Sequence, residues 1–257
     1  MFINAAQVVT CDSPSPASVL RDAAVAVADG RIAGIGAPSS FGEPFDSARR
    51  IDCEGGVLTP GFVDSHTHAI FGKWRSGEYA LRSRGVPYME IAREGGGILA
   101  SVRDLRARSE TDLLALASER VATMLKSGTT TAEVKSGYGL DTESELRMLR
   151  VIRALGAEQP VDLVPTFMGA HEFPPEYSGR RGAYVDLIID EMIPAVAADR
   201  LAEFCDVFME PGVFDAAQTR RILEAGTRHG LVPRLHADEL EPSGGAELAV
   251  ELGAASA

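Results

Sequence analysis

Two histidines, His66 and His68, stand one residue apart at the end of the stretch GFVDSHTH, residues 61–68. Residues i and i+2 of a β-strand point to the same face, so both imidazoles would project together if this stretch is a strand. Neutral imidazole is the most common protein ligand of zinc-like ions. The spacing fits either a pair of metal ligands or two neighbouring surface histidines, and the rest of the chain must decide between them.

Four of the five histidines share a position at the end of a predicted strand: His66, His68, His171 and His236. Such clustering is not expected by chance, and it favours metal binding. His236 could instead be a hydrogen-bonded core histidine, but the acidic residues at 238–239 indicate a charged strand exit, which favours a ligand. The fifth histidine, His229, lies in the last turn of a predicted helix before Gly230, where the helix dipole accounts for it.

Two further charged residues near these strand ends could serve a catalytic site. Glu239 follows His236 by three residues and could act as a general base toward a water beside the metal, although a solvated loop carboxylate is an alternative. Arg75 lies in a glycine-containing loop and could bind a substrate carboxylate in a bidentate manner. Arg82 and Arg84 are close in sequence, so the residues alone do not single out Arg75.

Tyr138 and Lys135 lie together in VKSGYGL, which follows another predicted strand. The glycines on both sides of Tyr138 predict a tight turn from which its hydroxyl could face a pocket, with a core tyrosine as the alternative. Lys135 could be a carbamylated bridge between two metal ions. A structural ion pair is the plainer interpretation of Lys135, and it is the one that we prefer.

The elements that must position these side chains alternate between strands and helices. The segments TTTAEVK, VDLVPTFMGA, DVFME and LVPRLHADE are predicted strands, each followed by a helix. In SETDLLALASERVATMLKSG, Ser109 and Asp112 predict a capping box and Gly128 predicts the helix end, while Ser243 predicts the start of the last helix. A repeated strand–helix unit implies parallel strands with outer helices, and active sites of (β/α)8 barrels gather at the C-terminal strand ends.

We therefore predict an α/β fold that consists of a (β/α)8 TIM-like barrel with a small β domain before it. Residues 1–57 are predicted to form half of a β-sandwich, in which Asp29 and Gly30 make a type I′ hairpin turn. Residues 58–257 are predicted to form the barrel. About five to six strands fit into this length, so we expect an incomplete barrel and a C-terminally truncated chain.

Composition excludes several classes of function. The net charge of −12 and the pI near 4.9 argue against nucleic-acid binding, whereas a small anionic substrate would need only a local cation. The three cysteines lack any CxxC spacing, which predicts reduced thiols. Neither a secretory signal nor an apolar run of about 20 residues is visible, so we expect a cytoplasmic protein without membrane contact.

Longer motifs occur in order from about residue 50 onward: PGFVDSHTH, EVKSGYGL, GAHEFPPEY, DVFMEPGVF, HADE and GGAELAVELGA. Together they resemble the imidazolonepropionases, a family of the metal-dependent amidohydrolase superfamily. The His-x-His motif marks only the superfamily, whereas VKSGYGL, GAHE and HADE are specific to the family. The resemblance implies an amidohydrolase-type barrel that hydrolyses the cyclic amide 4-imidazolone-5-propanoate to N-formimidoyl-L-glutamate in histidine degradation.

The resemblance also implies roles for individual residues. One divalent ion, zinc or iron, would be bound by His66, His68 and His236. Arg75 matches the residue that binds the propanoate, Tyr138 and His171 match contacts to the ring and product, and Glu239 matches the residue that handles the attacking water. Glu239 and His171 are thus the expected catalytic residues. In the family a further aspartate ligand follows on a later strand, and we expect a homodimer for the full-length protein.

Two other hypotheses stay open at this point. The chain could be another amidohydrolase, such as a purine or pyrimidine deaminase, or it could be a non-catalytic fragment that at most binds metal. Arg75 discriminates between the enzyme classes, because a neutral base has no carboxylate for a guanidinium to bind.

Overall fold

The computed structural model describes residues 1–12, 18–43 and 45–257. They divide into two units, Met1–Phe62 and Val63–Ala257. This boundary lies a few residues beyond the one predicted between residues 57 and 58. Among the described residues, no helix combines the length and the apolar character that a membrane span requires.

The first unit consists of short strands in two small sheets. Its strands are β1 (Phe2–Ile3), β2 (Gln7–Val9), β3 (Val19–Leu20), β4 (Ala24–Ala28), β5 (Arg31–Gly36), β6 (Ile51–Asp52) and β7 (Val57–Leu58). One sheet has the order β5-β4-β1-β6 and the other β3-β2-β7. The predicted hairpin turn is confirmed: Asp29 and Gly30 have φ values of 50° and 74° and join the antiparallel strands β4 and β5.

The second unit contains a five-stranded sheet with helices. Its strands are β8 (Phe62–Thr67), β9 (Thr129–Lys135), β10 (Asp162–Ala170), β11 (Phe204–Met209) and β12 (Val232–Ala237), in the order β12-β11-β10-β9-β8. Strands β9 to β12 pair in parallel. Five strands are fewer than the eight of a closed barrel. The predicted incomplete α/β barrel is therefore confirmed, with five strands.

The helices of this unit follow the strands in sequence. They are α1 (Ser76–Ser83), α2 (Tyr88–Arg93), α3 (Gly97–Arg106), α4 (Glu110–Lys126), α5 (Thr142–Glu158), α6 (Arg181–Leu187), α7 (Ile193–Ala198), α8 (Ala216–Arg228) and α9 (Gly245–Glu251). A π-helical turn, Ile188–Met192, joins α6 to α7. The helix α4 buries Leu113, Ala117 and Val121 on one face, because residues four apart lie on the same side of a helix.

Two helix starts show how local side chains set the boundaries. The predicted capping box of α4 is confirmed, since the Asp112 backbone N–H donates to Ser109 Oγ at 3.1 Å and the Ser109 N–H donates to Asp112 Oδ2 at 3.3 Å. The predicted start of α9 at Ser243 is wrong. Gly244 occupies the N-cap with a φ of 80°, because the Ser243 N–H and hydroxyl both donate to Asp238 Oδ1.

Candidate active site

Three histidines come together although they lie on opposite edges of the five-stranded sheet. His66 and His68 lie at the end of β8, and His236 lies on β12. The Nε2 atoms of His66 and His236 are 3.0 Å apart, and one nitrogen from each of the three rings lies within 4.8 Å of the others. The sheet must therefore curl enough to bring the side chains of its two edge strands into contact.

The chemistry of these donors fits a divalent ion of the zinc or iron type. Burial, followed by the nearby His171 and His236, lowers the pKa of His68 well below its usual value, and burial and His236 lower that of His66. Both rings are therefore neutral near pH 7, as metal ligands must be. The Nδ1 atom of His68 is buried and has no hydrogen-bond partner among the described residues. Three convergent imidazoles could thus hold a cation.

The ring of His236 is held by a buried ionic network below the histidines. Asp206 Oδ2 lies 3.0 Å from His236 Nδ1 and accepts from Lys135 Nζ at 2.7 Å. Lys135 Nζ also donates to Glu133 Oε1 at 2.8 Å, and Arg234 Nη1 lies 2.8 Å from the same oxygen. The ion-pair interpretation of Lys135 is thus confirmed. Burial alone would raise the pKa of Asp206, but the His236 hydrogen bond and the Lys135 charge outweigh it and lower the pKa.

A cavity of about 250 Å³ opens beside the three histidines. The remaining residues that the sequence predicted for the site all line this cavity: Arg75, Tyr138, His171 and Glu239. Arg82 lines it as well, so the structure does not separate Arg75 from this neighbour by position alone. Since 250 Å³ is at the small end for ligand pockets, the cavity suits a small substrate.

The residues of this cavity have different environments. His171 is buried and stacks on His68 with ring centroids 4.8 Å apart, while its Nδ1 lies 2.9 Å from the Gly137 carbonyl oxygen. Burial, with a smaller contribution from His236, lowers the pKa of His171 to about 3, so the ring is neutral. Arg75 Nη1 lies 3.3 Å from Glu78 Oε2, which also accepts the N–H of Gly97 at 3.1 Å. The guanidinium is therefore tethered at one nitrogen.

Two buried glutamates hold the loops of the cavity. From the sequence, Glu210 was expected at a strand end but without a role, and Glu145 was not singled out. Glu145 is fully buried and accepts the backbone N–H groups of Gly137, Gly139 and Leu140 at 2.8–3.0 Å, which fixes the turn that carries Tyr138. Glu210 is likewise buried, and its Oε1 accepts the N–H of Glu239 at 2.6 Å and that of residue 240 at 3.2 Å.

Asp206 was missed too, although the sequence contained a usable signal. It interrupts the apolar strand FCDVFM, and an acidic residue in a buried strand has to be paired. Glu145 lies in the first turns of α5 and gives no comparable signal, since acidic residues are common there for reasons of the helix dipole alone.

Comparisons with known proteins concern the family and the fold of the chain. No protein-family model matches the chain. Over 247 residues the chain is 51% identical to the imidazolonepropionase of Myxococcus xanthus (strain DK1622), an alignment that covers 95% of this chain and 58% of that protein. The chain thus spans less than two thirds of that relative.

Solved structures with low sequence identity share the fold. The 5-methylcytosine deaminase of Klebsiella pneumoniae, liganded with phosphonocytosine, superposes with a TM-score of 0.63 and 16% identity over 98% of this chain and 55% of that one. A mutant atrazine chlorohydrolase of Arthrobacter aurescens, complexed with zinc and atraton, superposes with a TM-score of 0.61 and 12% identity. This superposition covers 98% of this chain and 58% of that one. The chain is therefore similar in sequence to the imidazolonepropionases over the part that it spans, and it shares its α/β fold with these two enzymes.

Proposed function

We propose that this protein hydrolyses 4-imidazolone-5-propanoate to N-formimidoyl-L-glutamate, a step of histidine degradation. One divalent ion, zinc or iron, would be held by His66, His68 and His236. The observation that carries the proposal is that these three imidazoles and the guanidinium of Arg75 line the same small cavity. This arrangement offers a cation site and an anion site to one small molecule.

The ion, when bound, would polarise the amide carbonyl and make water a better nucleophile at neutral pH. Arg75 would bind the propanoate carboxylate with the nitrogens that its contact to Glu78 leaves available. Tyr138 and the neutral ring of His171 would contact the imidazolone ring and fix its orientation. Orientation of this kind can lower an activation barrier by several kcal/mol.

Glu239 is the proposed general base. Its carboxylate would take a proton from the attacking water as the new C–O bond forms, and it would return that proton to the ring nitrogen as the C–N bond breaks. Glu239 lines the cavity together with His66 and His236, and Glu210 holds its backbone. Because the buried carboxylate of Glu210 fixes this backbone, Glu239 is suited to act as a general base, a role that requires a fixed position.

A deaminase acting on a purine or pyrimidine is the second enzyme class to test. The fold is shared with a 5-methylcytosine deaminase, but at 16% identity this likeness concerns the fold alone. Two arginines, Arg75 and Arg82, line the cavity, and they favour an anionic substrate over a neutral base.

The experiment follows the loss of imidazolone absorbance with the zinc- or iron-loaded protein, and it offers cytosine in parallel. We expect turnover of imidazolone propanoate and no turnover of cytosine. Arg75→Ala should lower kcat/KM by an amount that corresponds to about 2–5 kcal/mol of transition-state binding, since it removes the proposed partner of the substrate carboxylate. The control is Lys73→Ala, because the Lys73 side chain is 79% exposed and lies two residues away. Absence of turnover, or an unchanged kcat/KM in the Arg75 variant, would contradict the proposal.

A further inference from the structure

We propose that Asp206 is a positioning residue, which fixes the tautomer and the ring orientation of His236 so that Nε2 is available to a metal ion. The inference rests on the metal site of the proposed function and deepens it. Asp206 lies on β11 and His236 on the neighbouring strand β12, with Asp206 Oδ2 at 3.0 Å from His236 Nδ1.

The identity of the two groups decides where the proton lies. Asp206 is buried, with 1% of its surface exposed, and the ammonium of Lys135 donates to Oδ2 at 2.7 Å, so this oxygen is the acceptor in its contacts. Nδ1 of His236 must then be the donor. A neutral imidazole with its proton on Nδ1 has its lone pair on Nε2, and this Nε2 is the atom that lies 3.0 Å from His66 Nε2.

The carboxylate itself is held in place by charges from two other strands. Lys135 on β9 joins Asp206 to Glu133, and Arg234 on β12 binds Glu133 from the other side. The network thus pairs two carboxylates, Asp206 and Glu133, with two cations, Lys135 and Arg234. Because each buried charge has a partner, Asp206 has little freedom to rotate away from the ring.

Carboxylates that hold metal-binding histidines in this way contribute about 10–100-fold to metal affinity. Asp206→Ala should therefore weaken zinc binding about 10–100-fold. Asp206→Asn retains an oxygen that can accept from His236 Nδ1. This variant should therefore keep the Nδ1–H tautomer and most of the zinc affinity that Asp206→Ala loses. Glu133→Gln is the matched control, since it removes a charge from the same network but leaves the contact between Asp206 and His236, and it should change zinc affinity less than about threefold.

The first measurement is the long-range ¹H–¹⁵N correlation spectrum of the metal-free chain, with the His236 signal assigned by its loss in His236→Gln. We expect the Nδ1–H tautomer in the wild type and in Asp206→Asn, and a tautomer mixture in Asp206→Ala. An Nε2–H tautomer of His236 in the wild type would overturn the inference, and this result requires only the assignment variant His236→Gln to fold.

The second measurement is zinc affinity by competition with a chelator, with far-UV circular dichroism as the check on folding. Equal affinity in the wild type and in a folded Asp206→Ala variant would overturn the inference, and so would an equal loss in Glu133→Gln, which would indicate a general effect of the network. A wild-type chain that binds no zinc would overturn the proposed metal site instead. The tautomer result does not depend on zinc, so it separates a failure of the proposed metal site from a failure of the positioning role of Asp206.

Discussion

Glu145 is expected to be one of the most sensitive positions for the stability of the chain. Its side chain is fully buried, and its two oxygens accept the backbone N–H groups of Gly137, Gly139 and Leu140 at 2.8–3.0 Å. Glu145→Ala leaves three buried donors without a partner, at about 1–3 kcal/mol each, or about 3–9 kcal/mol together. The variant also removes a carboxylate whose pKa is raised by burial, which offsets part of the loss. We therefore expect a net decrease of about 2–5 kcal/mol.

The assay is urea unfolding of the 257-residue chain at pH 7, followed by circular dichroism. Glu145→Gln should lose only about 1 kcal/mol, because its carbonyl oxygen can still accept from Gly139 and Leu140. The control is Glu143→Ala in the same helix, where the side chain is 74% exposed and pairs with Arg150, and where the change should stay below about 0.5 kcal/mol. A loss of stability in Glu145→Ala that is no larger than that in Glu143→Ala would show that Glu145 does not stabilise this turn.

Two further predictions concern the same unfolding free energy. The pKa of His171 is about 3 in the folded chain and 6.5 in the unfolded one, so the unfolded state binds a proton first and the metal-free chain loses stability as the pH falls below 6.5. Between pH 7 and pH 5 the protonation of His171 in the unfolded state should lower the unfolding free energy by about 2 kcal/mol. The difference in unfolding free energy between wild type and His171→Asn should shrink by the same amount, and a difference that stays constant would contradict this prediction. Ser109→Ala should lose about 1 kcal/mol with the capping box of α4, while Ser127→Ala at the other end of the helix should lose less, and equal losses would rule out the cap as the cause.

Features that depend on near neighbours in the sequence could be predicted. The hairpin follows from the Asp29-Gly30 pair, since these residue types tolerate the two adjacent positive φ angles of a type I′ turn. The capping box of α4 follows from Ser109 and Asp112, which are three residues apart. The alternation of strands and helices likewise gave the parallel sheet. The histidines at the strand ends were found because a barrel gathers such ends at one face, whatever the details of the loops.

Pairings between distant side chains could not be predicted in the same way. Asp206 and His236 are 30 residues apart, and only the register of β11 against β12 brings them within 3.0 Å. The hydrogen bonds that Glu145 accepts depend on the path of the turn at residues 137–140, which brings three backbone N–H groups to its carboxylate. The start of α9 was misplaced for a related reason, since Asp238 competes for the N–H and hydroxyl of Ser243.

A zinc titration of the chain and of its single histidine-to-alanine variants tests whether the three histidines form a metal site. We predict one zinc ion per chain and at least a tenfold lower affinity when any member of the cluster is replaced: His66, His68 or His236. His229→Ala is the control, because this histidine is the C-cap of α8 and no member of the cluster, and its affinity should equal that of the wild type. Zinc binding that survives all three cluster variants, or that is lost equally in the control, would show that these three histidines do not form the metal site.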